Sequence, residues 1–226
     1  MDCFLSSFPI HTKIVEILMA SDAMLPVDRP NFILMLLEGL PDDIESEFRT
    51  QLGKSNSNLM VIRQPHVPYA GIELYLPTAI ALFVTAGFFN GVLQELGKDA
   101  YGALKKAAFA LWKRADEQNI TLIGSAGKVP PIRRYSAAYS ITGEISPGIK
   151  FKFIVQTDIS ADNAESGIEA FITLIDNIIK NRISEEDLNA LLTYQPIGRT
   201  VLVTFDSVNR KIIPVDALAD RRPPAD

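Results

Sequence analysis

Residues 74–94 read LYLPTAIALFVTAGFFNGVLQ, 21 positions without a charged side chain, and the fold turns on what this stretch forms. At helical spacing Ile80, Leu82, Phe83, Val84, Phe88, Phe89, Val92 and Leu93 leave no polar face, so a helix here would meet apolar neighbours on every side. The pattern predicts one helix over residues 76–96, starting near Pro77 and stopping before Gly97, buried as the central rod of a core. A membrane is the second setting for it. Gly87 and Gly91 form a G-x-x-x-G pair and a basic run follows directly, the arrangement that helix packing in lipid and the positive-inside rule both favour. Pro77, Thr78, Thr85, Asn90 and Gln94 dilute the stretch, and its length is at the lower edge of a span. The buried core helix is therefore the first expectation.

On the carboxy-terminal side, Tyr101, Leu104, Ala108, Leu111, Trp112 and Ala115 mark the inner stripe of an amphipathic helix over residues 98–116. The period then changes to two. After a short apolar run at 120–123, Tyr135, Ala137, Tyr139 and Ile141 alternate with Ser136, Ala138, Ser140 and Thr142, which predicts a half-buried strand. Pro147 and Gly148 suit the centre of a type II turn, and Phe151, Phe153 and Val155 alternate beyond it, giving an antiparallel hairpin. A helix follows, with Asp162 and Glu165 as its capping pair and Ile168, Phe171, Ile172, Ile175, Ile178 and Ile179 along its apolar stripe. Ser184 and Asp187 open a shorter one, and residues 201–205 and 211–215 form a second hairpin. The polar tail 220–226 is expected to be mobile.

On the amino-terminal side, a short helix is expected at 13–20 and an apolar strand at 32–37. Pro41, the acidic Asp42, Asp43 and Glu45, then Ile44, Phe48 and Leu52 and finally Gly53 predict a helix with a start, a stripe and a stop. Residues 59–62 return to strand character, and Pro65, Pro68 and Pro77 make 64–77 an internal linker. The class is α+β: a mixed sheet with antiparallel hairpins, packed on a central apolar helix and several amphipathic ones. Residues 1–219 read as a single domain.

Composition limits function. Hydrophobic residues at 47% and charged residues at 22% suit a folded globule, and a net charge of −5 argues against a surface built for nucleic acid. Cys3 is the single cysteine, which excludes an intrachain disulfide or thiolate cluster and suggests a reducing compartment. Residues 1–20 lack the basic cluster and unbroken apolar run of an export signal, so a cytoplasmic protein is expected.

Catalytic candidates are scarce. His11 and His66 are the only histidines, neither lies in a nucleophile or metal-ligand pattern, and a lone loop histidine is usually structural. Residues 124–128, GSAGK, resemble the end of a phosphate-cradling loop, but Pro130 and Pro131 stand where the helix would start. Asp158, Asp162 and Glu165 are weak candidates for a hard cation, with helix capping the plainer role. No cofactor is implied, and the reading leans away from an enzyme.

Charge is uneven along the chain. Residues 98–134 hold eight basic side chains against three acidic ones, so this stretch carries +5 and the remainder −10. The leading expectation is a non-catalytic binding protein whose basic surface, formed by Lys98, Lys105, Lys106, Lys113, Arg114, Arg133 and Arg134, meets a protein partner. The plain alternative is a solvated helix face. A membrane-inserting protein using 76–96 and a cation-dependent enzyme are the other readings, and a homo-oligomer is compatible with all three.

Overall fold

The computed structural model describes residues 30–56, 58–65, 75, 78–118, 120, 134–146, 149–194 and 196–217. In chain order the elements are β1 (Phe32–Leu37), α1 (Asp43–Leu52), β2 (Leu59–Gln64), β3 (Ile80–Val84), α2 (Leu93–Asp116), β4 (Tyr135–Ser146), β5 (Ile149–Gln156), α3 (Ala161–Ile179), α4 (Glu185–Leu191), β6 (Thr200–Asp206) and β7 (Lys211–Pro214). The seven strands form one mixed sheet in the order β2-β1-β3-β4-β5-β6-β7, and the fold is α+β. The expected helix at 13–20, the apolar run past Ile120, residues 124–128, the 147–148 turn, the 220–226 tail, Cys3, His11, His66 and Arg133 lie outside the described residues. So does most of the expected linker, whose first residue, Gln64, instead ends β2.

The expected apolar helix over 76–96 does not form as one rod. Ile80–Val84 is β3, inserted in the sheet antiparallel to β1 and parallel to β4, with Leu82 opposite both Leu34 and Ile141. The chain turns at Thr85, whose hydroxyl donates to the Pro30 carbonyl at 3.0 Å and whose N–H bonds Asn31. Only then does it wind into a π-helical turn, Phe88–Val92, that leads into α2. A strand covered on both faces is apolar at every position and loses its period of two, so its sequence is the same as that of a buried helix. The segment's apolar content is spent inside the protein: Phe88 and Phe89 are buried, and Phe88 meets Phe32 at 4.9 Å between ring centroids. Among the described residues no helix is long and apolar enough to cross a membrane.

The helices α1, α2 and α3 share one face of the sheet. Phe48 of α1 packs edge-on against Phe32, the Tyr139 hydroxyl donates to the Ala108 carbonyl of α2 at 2.7 Å, and Ile175 of α3 covers Gly143. The strand register places Phe32, Tyr139 and Gly143 on the same side as Leu34, Leu82, Ile141 and Phe153. Two glycines let α3 settle this close. A Cβ on Gly143 would lie 2.7 Å from Ile175 Cγ1, and one on Gly167 would lie 2.9 Å from Phe205 Cβ. Phe32, fully buried between Phe48 and Phe88, contributes on the order of 3–5 kcal/mol relative to alanine, as buried aromatics do.

Each helical crossover joins parallel strands: α1 links β1 to β2, α2 links β3 to β4, and α3 with α4 links β5 to β6. The hairpins β4–β5 and β6–β7 form as expected. Two local readings change. A register shift between Tyr135 and Ser140 breaks the strict alternation of β4, so Tyr135 faces away from Tyr139. Ser160, not Asp162, caps α3 by accepting the Asn163 N–H, and Asp162 sits in the first turn, where its charge still favours the helix dipole.

The opposite face of the sheet is also covered over β5 and β6. Ile154, Leu202 and Val215 form a small buried cluster with Tyr75, Tyr135 and Ala217 against it. Lys152, 6% exposed, lies on this same face, across from Thr142 and Leu202.

Candidate basic interaction surface

The α2 helix kinks at Gly97, whose φ of 59° and ψ of −136° are open to glycine and strained for other residues. From there to Asp116 the inner side is Ala100, Leu104, Ala107, Ala108, Leu111, Trp112 and Ala115, all buried. The small Ala107 and Ala108 bring the helix close enough for Tyr139 to reach its backbone. Burial pushes the Tyr139 hydroxyl well above its ordinary pKa, so it is held as a neutral donor.

Six of the seven expected basic residues are described, Arg133 being the exception, and they separate into three groups. Lys105 and Arg114 are used within the fold. Lys105 Nζ lies 2.6 Å from Glu169 of α3 and over the Tyr101 ring, and the Tyr101 hydroxyl bonds Thr173 of the same helix. Arg114 joins α2 to α1 through Asp43 at 2.7 Å and Glu47 at 3.8 Å, with Glu117 at 3.7 Å on its own helix. Lys98, Lys106 and Lys113 make up the second group: they are exposed, and no acidic side chain among the described residues lies within ion-pairing distance of them. At about 100° per residue they share the outer side of α2 with Phe109. Phe109 stacks on Trp112 at 5.5 Å with an interplanar angle of 6°, and Lys113 Nζ stands 4.5 Å above its ring.

Arg134 stands apart. Its guanidinium covers Tyr135 at 5.5 Å, and Tyr135 packs on the Ile154 cluster across the sheet from the helices. The structure does not join it to the α2 face. Nor does it gather Asp158, Asp162 and Glu165: all three are exposed, and among the described residues no group of three or more potential ligands could hold a metal ion. The cleft under Arg114, lined by Ile44, Phe48, Ala107 and Leu111, is a shallow dip with no interior room even for a water molecule, whereas small-molecule sites begin at roughly 300 Å³.

Lys152 is the residue that sequence reasoning missed. Burial lowers its ammonium from the usual 10.5 to about 8. Its signal in the sequence was Ile154, an apolar residue two positions on and in the same row, which marks that face of β5 as covered.

Comparison of the chain with protein-family models, with curated proteins and with solved structures finds no match.

Proposed function

We propose that this is a non-catalytic binding protein that engages an acidic protein surface through the outer side of α2. The observation that carries the reading is the division of charge on that helix. Lys105 and Arg114 are neutralised by Glu169, Asp43 and Glu47, whereas Lys98, Lys106 and Lys113 are exposed on the side that carries the half-buried Phe109, with no ion-pair partner among the described residues although Asp99 and Asp116 lie on the same helix. Exposed ammonium groups steer an oppositely charged partner over a Debye length and lose little hydration in doing so. A rigid aromatic between them supplies the apolar anchor that charged contacts alone lack. A partner offering carboxylates around an apolar side chain fits this arrangement. Nucleic acid fits it less well, because the chain is acidic overall and the aromatic lies on a helix rather than on an open stacking sheet.

The test replaces only the free lysines. The Lys98→Glu, Lys106→Glu, Lys113→Glu triple variant should lose retention on immobilised polyglutamate at low salt, with its thermal unfolding midpoint little changed. Wild-type retention should fall steeply as salt rises. Equal retention of the two proteins removes α2 as the contact surface. Binding of the wild type to phosphatidylserine vesicles but not to polyglutamate transfers the reading to a membrane surface.

A further inference from the structure

We propose that the chain forms a two-fold homodimer by pairing the outer edge of β2 with the same edge of a second copy, extending the sheet across the interface. This is independent of the α2 surface. β2 ends the sheet, and among the described residues no strand pairs with its outer side. The carbonyls of Asn58 and Gln64 accept bonds from Asn31 and Glu38 on the β1 side. Since strand residues alternate, Leu59, Val61 and Arg63 therefore turn their N–H and C=O groups outward.

Sheet edges are ordinarily protected by charge or proline. The other edge, β7, has both, with Lys211 exposed and Pro214 closing the strand. β2 lacks such protection within its span. Its one charged residue, Arg63, is turned back into the protein, donating to the Leu40 carbonyl at 3.0 Å and to Asp42 at 2.6 Å. What remains is Leu-Met-Val-Ile, and Met60 is 50% exposed.

The edge is complementary to itself in one register. Asn58, at φ 68°, bounds the strand on one side, and Pro65, which has no N–H, bounds it on the other. The outward groups at 59, 61 and 63 are symmetric about Val61. A two-fold axis there pairs Val61 with Val61 of the second copy and Leu59 with its Arg63, forming about six backbone hydrogen bonds. On the far face Met60 then lies across from Ile62 of the second copy and is covered. The two Arg63 side chains stay apart, so no like charges meet.

Light scattering after size exclusion should give the full chain twice its single-chain mass of 24.9 kDa. Val61→Pro removes an outward N–H and no bond within the sheet, and Met60→Lys places a charge on the buried side of the interface. Each should return the mass to one chain with the circular dichroism spectrum unchanged. In a Cys3→Ser background, Val61→Cys should form an intermolecular disulfide on oxidation. Leu59→Cys should not, since the two copies of residue 59 would be about 13 Å apart, beyond the roughly 7 Å limit for a bridge. A single-chain mass at every concentration overturns the proposal. So does a folded Val61→Pro protein that remains dimeric, cross-linking at 59 in place of 61, or a monomer whose β2 edge takes up only a foreign peptide.

Discussion

Replacing Lys152 with methionine should stabilise the protein at neutral pH, and the gain should vanish as the solution becomes alkaline. The side chain is 6% exposed on β5, next to Ile154 and opposite Leu202, and burial holds its pKa at about 8 in place of 10.5. Below pH 8 the amine is protonated in both the folded and the unfolded chain, and the folded state bears a cost for holding the charge away from water. Between pH 8 and 10.5 the folded chain has released its proton while the unfolded chain keeps one. The unfolded state then binds more protons, so stability rises with pH. Above 10.5 both forms are neutral and the gain is complete. The interval between 10.5 and about 8 corresponds to about 3 kcal/mol.

Methionine has nearly the same shape and no charge, so Lys152→Met should exceed the wild type by up to about 3 kcal/mol at pH 7. Urea unfolding of both proteins from pH 7 to 10.5 measures this directly. Burial holds Tyr139, Tyr101 and Tyr75 above their ordinary pKa, so each destabilises the fold above about pH 10. These contributions are common to both proteins and cancel in the difference, which should shrink steadily above pH 8. A difference that stays constant with pH, or a variant less stable than the wild type at pH 7, would refute the account of a charge held at a cost inside the sheet.

Two further expectations concern the helix–sheet contact. Gly143→Ala places a methyl 2.7 Å from Ile175 Cγ1 and should lower stability by about 1–3 kcal/mol, as overpacking does. In an Ile175→Ala background the same substitution should cost less, because the clashing atoms are gone, and strictly additive losses in thermal unfolding would show that the two positions do not touch. Tyr139→Phe removes the 2.7 Å bond to the Ala108 carbonyl and should lower stability by about 1 kcal/mol in urea unfolding; no loss would mean that the hydroxyl is not bonded there in solution.

Elements whose burial is one-sided could be read from the sequence. The α1 helix shows Ile44, Phe48 and Leu52 on one stripe, with Gly53 at its end in a positive-φ conformation. The hairpin β6–β7 closes around Asp206, whose carboxylate accepts the Val208 and Asn209 N–H groups. Where burial is two-sided, periodicity carries no information. Ile80–Val84 has the pattern of a helix because each residue is apolar, and each is apolar because the strand is central in the sheet, with Ile80, Leu82 and Val84 buried under the helices and Ala81 and Phe83 buried and half-buried on the other face. The G-x-x-x-G pair misled for a related reason. Gly87 lies close to the Asn31 and Thr85 side chains, while a Cβ on Gly91 would meet nothing within 4 Å, so the spacing reflects a turn beside β1 rather than a helix–helix seam.

The basic surface was legible as a sum and illegible as an arrangement, because what a partner meets is the charge left after intramolecular pairing. Counting along residues 98–134 gave Lys105 and Arg114 the same weight as Lys106 and Lys113. Glu169, which pairs Lys105, lies 64 positions away, and Asp43, which pairs Arg114, lies 71 positions away on the other side of the chain. Neither contact has a local signature, and both join α2 to a neighbouring helix. Reversing Lys105 or Arg114 would therefore put like charges together between helices and weaken the fold, so a loss of binding in such a variant would say nothing about the partner. Reversing Lys98, Lys106 and Lys113 disturbs no such contact. The separation of charges that hold α2 in place from charges that face outward is what makes the outer surface testable without unfolding the protein.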